Sequence, residues 1–270
     1  MLKFICLKRL FQLKSDTQTN HKVASLNAIS IGKYINESTL ISKIQIETVI
    51  PQSYANIHTE LNTCIDSDDM LADGAVEKIL SKWAEVKDKG YAGLVGLDAD
   101  FSGNVIGKGF PVNMTETTIS GYYAAGGAGD KKLVYRTDVI NAYPEYPVFE
   151  GEKYVSLSYK YLLIDQNYKL AVLDDVLCNV EYQPDGSSNN MFRQYLKNPK
   201  GFAFWRTVKM QYPESFKRLV MDCIHYCSSS QIAGNRHYIK ESPRKLLTVL
   251  CTPVGWVLTA FINKKVGLLR

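Results

Sequence analysis

Histidine is scarce in this chain of 270 residues, with four copies lying far apart, and no Gly-x-Ser-x-Gly sequence occurs. A Ser-His hydrolase therefore has no support. The six cysteines show no framework spacing, and no secretory leader with a cleavage site is visible. Lys8 and Arg9 break up the apolar character of "MLKFICLKRLFQL". Reduced thiols and a cytosolic face are expected. Cys223 and Cys227 in "CIHYC" lack the second ligand pair that zinc needs, so packing on a helix is their expected role. "GGAGD" leads into a strand-like run rather than a helix, unlike a dinucleotide-binding loop. Internal repeats and disordered composition are also absent, and 46% hydrophobic residues suffice for a substantial core.

Acidic residues run short toward the end. Residues 191–270 hold 14 Lys and Arg against 3 Asp and Glu, whereas residues 1–190 hold 18 against 24. Such a basic tail attracts an anionic partner, nucleic acid or lipid, unless it is simply a solvated face. Its aromatics Phe202, Phe204, Trp205 and Tyr212 could stack bases, but no nucleic-acid module is present and no nucleic-acid partner is expected. The 17 residues from Leu246 to Ile262 carry no charge, with Arg244, Lys245, Lys264 and Lys265 at their flanks. That run is short for a membrane span and contains Pro253 and Gly255, so a helix in the bilayer interface is expected over 246–262. A buried C-terminal helix is the competing reading.

Between these ends the pattern is mixed α/β. "IQIETVI" alternates as a strand does, with Pro51 ending it. Asp73 is the expected cap of a helix carrying Val76, Ile79, Leu80 and Trp83, ended by Lys89-Gly90. "YAGLVGL" reads as a buried strand before the turn "DADFSGN". "KLVYR" is a strand, Thr137 the expected cap of "DVINAY", "YVSLSYKYLLIDQ" a helix and "YKLAVLDDVLCNVEY" a strand or strand pair.

"CIDSDDML" (64–71) places three carboxylates in four residues after an apolar run. Aspartates at i and i+2 can aim oxygen ligands at one hard cation, and Mg²⁺ or Mn²⁺ fills its remaining positions with phosphate oxygens and water. An acidic turn is the alternative. The order of segments then adds a resemblance. "IDSDDML", "AVEKILSKW", "YAGLVGLDADFSGNVIGKGFP", "GDKKLVYRTDVI", "YPVFEGEKY" and "VLCNVEYQPDGSSNN" leading to "YLKNPKGFAFW" resemble, in sequence order, a family 2 glycosyltransferase of the bacterial surface-polysaccharide type. The resemblance covers a little over half the chain.

What the resemblance implies is a GT-A-like mixed sheet flanked by helices, followed by a basic helical extension. It divides the chain into 1–65, an atypical N-terminal part of the nucleotide-binding half; 66–195, the metal and acceptor region; and 196–270, the basic tail. Asp66 and Asp68 match the Asp-x-Asp signature that holds the divalent cation, Mn²⁺ or Mg²⁺, and with Asp69 the donor. Glu152, and after it Glu150, match the general base that deprotonates the acceptor hydroxyl. Gln183, Asp185 and Ser188 match an acceptor-side loop, whose other reading is a turn built by Pro184-Asp-Gly. The family's Thr-Pro-x-Tyr-Asn and Val-Asp-Asp-Gly-Ser strand ends are missing ahead of the signature, and the strand delivering the aspartates is expected to shrink to Thr63-Cys64-Ile65. The implied function is inverting, metal-assisted transfer from a nucleotide-sugar, a UDP-sugar first, to a polysaccharide or lipid-linked acceptor. The expected location is cytoplasmic, peripheral on the inner face of the cell membrane. The alternative is a glycosyltransferase-like remnant that binds or scaffolds without turnover.

Overall fold

The computed structural model describes residues 2–6, 57, 59–66, 69–181 and 190–268. The expected strand "IQIETVI", the acceptor-side residues Gln183, Asp185 and Ser188, and Asp68 lie outside them. Two compact units divide the chain: residues 1–144 with 167–181, and residues 145–166 with 182–270.

The first unit is a mixed sheet. Its described strands are β1 (Leu2–Cys6), β2 (Leu61–Ile65), β3 (Met70–Leu71), β4 (Gly93–Ala99), β5 (Glu116–Thr117), β6 (Lys131–Arg136) and β7 (Leu170–Asn179). They follow the order β1-β2-β6-β4-β7-β3, with β5 also on β7. β1 runs parallel to β2, and β4 parallel to β7, while β6 lies antiparallel between β2 and β4. β1, β2, β4 and β7 therefore share one direction.

β4 is buried along its whole length, as its near-continuous apolar run predicts for a central strand. Close packing here needs glycine: a Cβ on Gly93 would lie 1.9 Å from the Val134 carbonyl oxygen, and its φ of 152° is itself disfavoured for other residues. Polar side chains fasten β2 to β6. The Asn62 amide donates to the Tyr135 carbonyl at 3.1 Å and to the Thr137 hydroxyl at 3.0 Å, and the Thr63 hydroxyl donates to the Leu133 carbonyl at 2.6 Å. These bonds meet the hydrogen-bonding needs of buried polar groups. β2 has five residues, not three, so the expected loss of the strand before the aspartates does not occur.

Helix α1 (Ala75–Val86) covers one sheet face. Ala75, Ile79, Trp83 and Val86 recur at helical spacing and join Leu61, Leu94, Val134 and Leu177 in the core. Leu80, expected inside, is 41% exposed. Gly74, left-handed at φ 70°, precedes the helix, and no side chain caps it, Asp73 included. At the far end a 3-10 turn (Lys87–Lys89) and Gly90 at φ 77° stop the helix, as Lys89-Gly90 predicts. Two short helices, α2 (Ile119–Ala124) and α3 (Thr137–Asn141), flank β6. Thr137 begins α3 instead of capping it, because its hydroxyl serves Asn62.

The second unit is helical: α4 (Ser158–Ile164), α5 (Met191–Lys197), α6 (Pro199–Gln211), α7 (Phe216–Ile232), α8 (Tyr238–Glu241) and α9 (Lys245–Leu268). Aromatic rings pack α6, with Tyr154 stacked on Phe202 at 4.7 Å and Tyr159 edge-on to Phe204 at 4.9 Å. Phe202, a candidate base-stacking residue, is thus core, 3% exposed. Cys223 and Cys227 do pack on a helix, against Met210, Tyr226, Tyr238 and Cys251. Asp222, whose side chain is 4% exposed, joins α7 to α6 through Arg206 and through Lys209 at 3.4 Å. Replacing Asp222 with Ala strands the Arg206 guanidinium in a half-buried site. Urea denaturation of that variant should show a loss of about 3–5 kcal/mol; a loss below about 1 kcal/mol would mean the cluster is already solvated.

Candidate functional site

Because β1, β2, β4 and β7 are co-directional, their C-terminal ends meet at one sheet edge, where open α/β sheets bind ligands. Asp66 follows β2 directly, Asp98 is the penultimate residue of β4, Asn179 ends β7, and Lys131 and Lys132 open the antiparallel β6. The aspartate motif closes as a turn: the Asp69 amide donates to the Asp66 carbonyl at 3.1 Å. The turn is then tied to β7. The Glu181 amide donates to Asp69 Oδ1 at 3.4 Å, and Met70-Leu71 pair antiparallel with Asn179 and Cys178. Asp66 and Asp69 are both half-buried. Of the expected donor residues, the structure therefore gathers Asp66 and Asp69 at this edge.

Beneath the turn lies a charged pair absent from the expected site. Lys132 Nζ stands 3.9 Å from Asp98 Oδ1, with the two side chains 9% and 4% exposed. Lys132 also donates to the Cys64 carbonyl at 3.4 Å, in the strand that leads to Asp66. Asp98 Oδ1 has no hydrogen-bond partner. Burial pushes the Asp98 carboxyl up to about 6, against the pull of Lys132 and with Asp130 and Asp69 adding to the rise. For Lys132, burial works against the charge, yet Asp98 and the nearby Cys178 and Cys64 outweigh it and raise its pKa. Cys178 is driven up to about 11 by burial. A lone acid at the end of the apolar run "YAGLVGLDA" is the available signal for Asp98, which the sequence alone assigns to the turn "DADFSGN" and the structure keeps in β4.

The neighbouring turn "DADFSGN" is self-contained. Asp100 accepts from the Ser102 and Asn104 amides at 2.8 and 2.9 Å and from the Asn104 side chain at 3.0 Å. These bonds, Asn104 foremost, hold its pKa below the ordinary value. A hollow of about 770 Å³ opens at the opposite sheet edge, lined by Glu60, Trp83, Lys87, Arg136 and Asp138 among others. Its principal polar groups are already paired: the Trp83 indole donates to Glu60 at 2.7 Å, and Arg136 pairs with Asp138. It lies away from the aspartates, so size does not mark the site here.

In the second unit, Glu152 is buried, and its two oxygens accept from the Lys200 and Gly201 amides, each at 2.8 Å. These are unpaired donors of the first turn of α6, so the carboxylate caps the helix and sits at its positive end. Gly201 permits the approach, since a Cβ there would stand 2.0 Å from the Tyr154 carbonyl oxygen. The Lys153 amide donates to Asn198 Oδ1 at 2.8 Å, adding a second tie. Expected as the proton acceptor, Glu152 is instead engaged in holding a helix, while Glu150 of the same loop is exposed. A reversed capping relation, from a loop to a helix nearly 50 residues on, leaves no local sequence signature.

Among the described residues, no group of three or more His, Cys, Asp and Glu side chains converges as a metal cage. A divalent ion at Asp66 would rest on one or two carboxylates and on oxygens from its ligand, a hard-donor set that suits Mg²⁺ or Mn²⁺.

The Asp98 environment yields a pH test. Its folded-state pKa of about 6 lies above the starting value of 3.8, so the folded protein holds a proton that the unfolded chain releases. This group's contribution to stability thus falls as pH rises from about 4 to 6. Relative to Asp98→Asn, the wild type should lose on the order of 2–3 kcal/mol across that window in denaturation series at several pH values. Parallel curves would place Asp98 in an ordinary, solvated setting.

No family model matches the chain, and no curated protein matches it. Among solved structures it is similar to S. aureus TarS 1–349 in complex with UDP, with a TM-score of 0.38, 11% identity and coverage of 82% of this chain and 70% of that one. The TarS 1–349 complex with UDP-GlcNAc gives a TM-score of 0.39 at 11% identity, covering 82% and 71%. S. aureus TarS gives 0.39 at 14% identity, covering 79% of this chain and 41% of that chain.

Proposed function

We propose that the chain is a glycosyltransferase that moves a sugar from a nucleoside-diphosphate donor to a polysaccharide or lipid-linked acceptor with inversion. One observation carries this reading: the Asp66–Asp69 turn stands at the C-terminal edge of the co-directional strands, braced from β7 and underlain by the Asp98–Lys132 pair. Asp66 and Asp68 would hold Mn²⁺ or Mg²⁺, which when bound would offset the charge developing on the diphosphate leaving group. Asp69, tied to the Glu181 amide, fixes the turn. Lys132 places a buried positive charge under these carboxylates and so eases their mutual repulsion.

The proton of the attacking hydroxyl needs a carboxylate with oxygens open to the acceptor. Glu150, exposed, serves as that base in this proposal, and Glu152 secures the loop that carries it. Gln183, Asp185 and Ser188 remain candidate contacts for acceptor hydroxyls. Peripheral contact with a membrane through 246–262 belongs to the same reading, because a lipid-linked acceptor would be met there.

Thermal unfolding with UDP, with and without Mn²⁺, tests the donor site. At about a hundredfold excess over Kd, the melting temperature should rise by roughly 5–10 °C, and only with the metal. Asp66→Ala should abolish the rise. If no nucleoside diphosphate shifts the transition, the donor site does not exist and the chain is at most a non-catalytic relative. A second comparison separates the two glutamates. Glu150→Gln should lower turnover by about 10²–10⁴-fold with an unchanged melting temperature. Glu152→Ala should cost about 1–2 kcal/mol of stability by uncapping α6, and the opposite pattern would return the base to Glu152.

A further inference from the structure

Helix α9 has its polarity inverted. Facing α7 are Thr248, Cys251, Gly255 and Thr259, all buried or half-buried. Their contacts are hydroxyl and thiol contacts: Thr248 Oγ1 lies 3.4 Å from Cys223 Sγ, and Thr259 Oγ1 lies 2.9 Å from Ser228 Oγ and donates to Gln231 Oε1 at 3.3 Å. Gly255 brings the backbones together, since a Cβ there would stand 2.5 Å from Cys227 Cβ. The opposite face carries Leu246, Val249, Leu250, Val254, Trp256 and Val257, between 51% and 84% exposed. From Leu246 to Ile262 that face contains no charged residue. Water-soluble helices bury their apolar side; here small and hydroxyl residues form the contact and the apolar side faces out, as at helix contacts inside lipid.

We infer that α9 lies in the plane of an anionic phospholipid bilayer with its Leu250–Val257 face among the acyl chains, and that it does not span. This rests on the membrane part of the function proposed above and fixes the geometry it leaves open. Lipid is favoured over a second copy of the chain by charge. Arg244, Lys245, Lys264 and Lys265, all exposed, stand at the two ends of the apolar face, in a segment with 14 basic and 3 acidic residues. Two such surfaces repel each other, whereas anionic headgroups attract them.

By length and composition alone the 23 residues Lys245–Gly267 could cross a membrane, so the helix packed against them decides against a span. α7 is fastened along α9 from Thr248 to Thr259, and α7 carries Asp222, paired with Arg206 and Lys209 of α6. A spanning α9 would draw these charges into the hydrocarbon. Lying in the interface, α9 keeps α7 on the aqueous side.

Vesicle sedimentation and tryptophan quenching with the full chain test this. The protein should sediment with phosphatidylglycerol-rich vesicles and weakly with phosphatidylcholine alone, and Lys264→Ala/Lys265→Ala should weaken anionic binding by roughly thirtyfold. Leu250→Glu/Val257→Glu should abolish binding with an unchanged melting temperature, since both side chains are exposed. Trp256 fluorescence should be quenched most by lipids brominated high on the acyl chain, and the quenching should disappear in Trp256→Phe. Strongest quenching by bromines near the chain ends would mean a span and overturn the in-plane geometry. Failure to bind anionic vesicles would overturn the inference altogether, as would a dimer in light scattering that Leu250→Glu/Val257→Glu dissociates. None of these readouts involves a nucleotide, so their failure is distinct from failure of the donor site.

Discussion

The first unit depends on β6 running antiparallel between two strands that point the other way. That single reversal sets β2 and β4 in the same direction without making them neighbours, and so brings Asp66 and Asp98 to one edge with the start of β6 between them. The interstrand fit is tight. Gly93 against Val134 leaves no room for a side chain, and the Asn62 and Thr63 side chains hydrogen-bond to β6. A slip of β6 by one residue would point Lys132 to the other sheet face and leave Asp98 without its cation. The register of the sheet and the electrostatics of the candidate site are therefore one constraint.

The arrangement also explains why a buried lysine is tolerated. An ammonium in the interior is costly unless it is paired and hydrogen-bonded. Lys132 has Asp98 at 3.9 Å and the Cys64 carbonyl at 3.4 Å, a loose set compared with the bonds around Asn62. Such a pair adds little to stability, and its position under the aspartate turn, where negative charge accumulates, suits an electrostatic task better than a structural one.

Much of this organisation was legible in the residues. The mixed α/β class, α1 with its glycine stop, the buried strand β4 and the later elements β6, α3, α4 and β7 follow from periodicity and turn chemistry, whereas β3, β5 and α2 were not read. What escaped has physical reasons. β1 reads as a basic, broken apolar run because its strand character depends on pairing with β2, some 55 residues on. β2 was expected to shrink to Thr63-Cys64-Ile65 because the family's preceding strand-end motifs are missing; Leu61 in the core and the buried partners of Asn62 across the sheet extend it. Glu152 matched a catalytic position by its surroundings in sequence, but the amides of α6 that occupy it are distant in the chain. Exposure misled at Leu80, which faces out. For the candidate site, the aspartate turn was visible and the Asp98–Lys132 pair under it was not, since no local pattern links β4 to the first residues of β6.

The capping of α6 by Glu152 has a kinetic side. Lys200 and Gly201 can exchange their amide protons with water only when the carboxylate withdraws, and the carboxylate is part of the backbone stretch that also bears Glu150. Movement of that loop and fraying of the helix are thus one event, not two. Two backbone amides in a helix become reporters on the opening of that loop, at a cost set by the local rather than the global unfolding free energy.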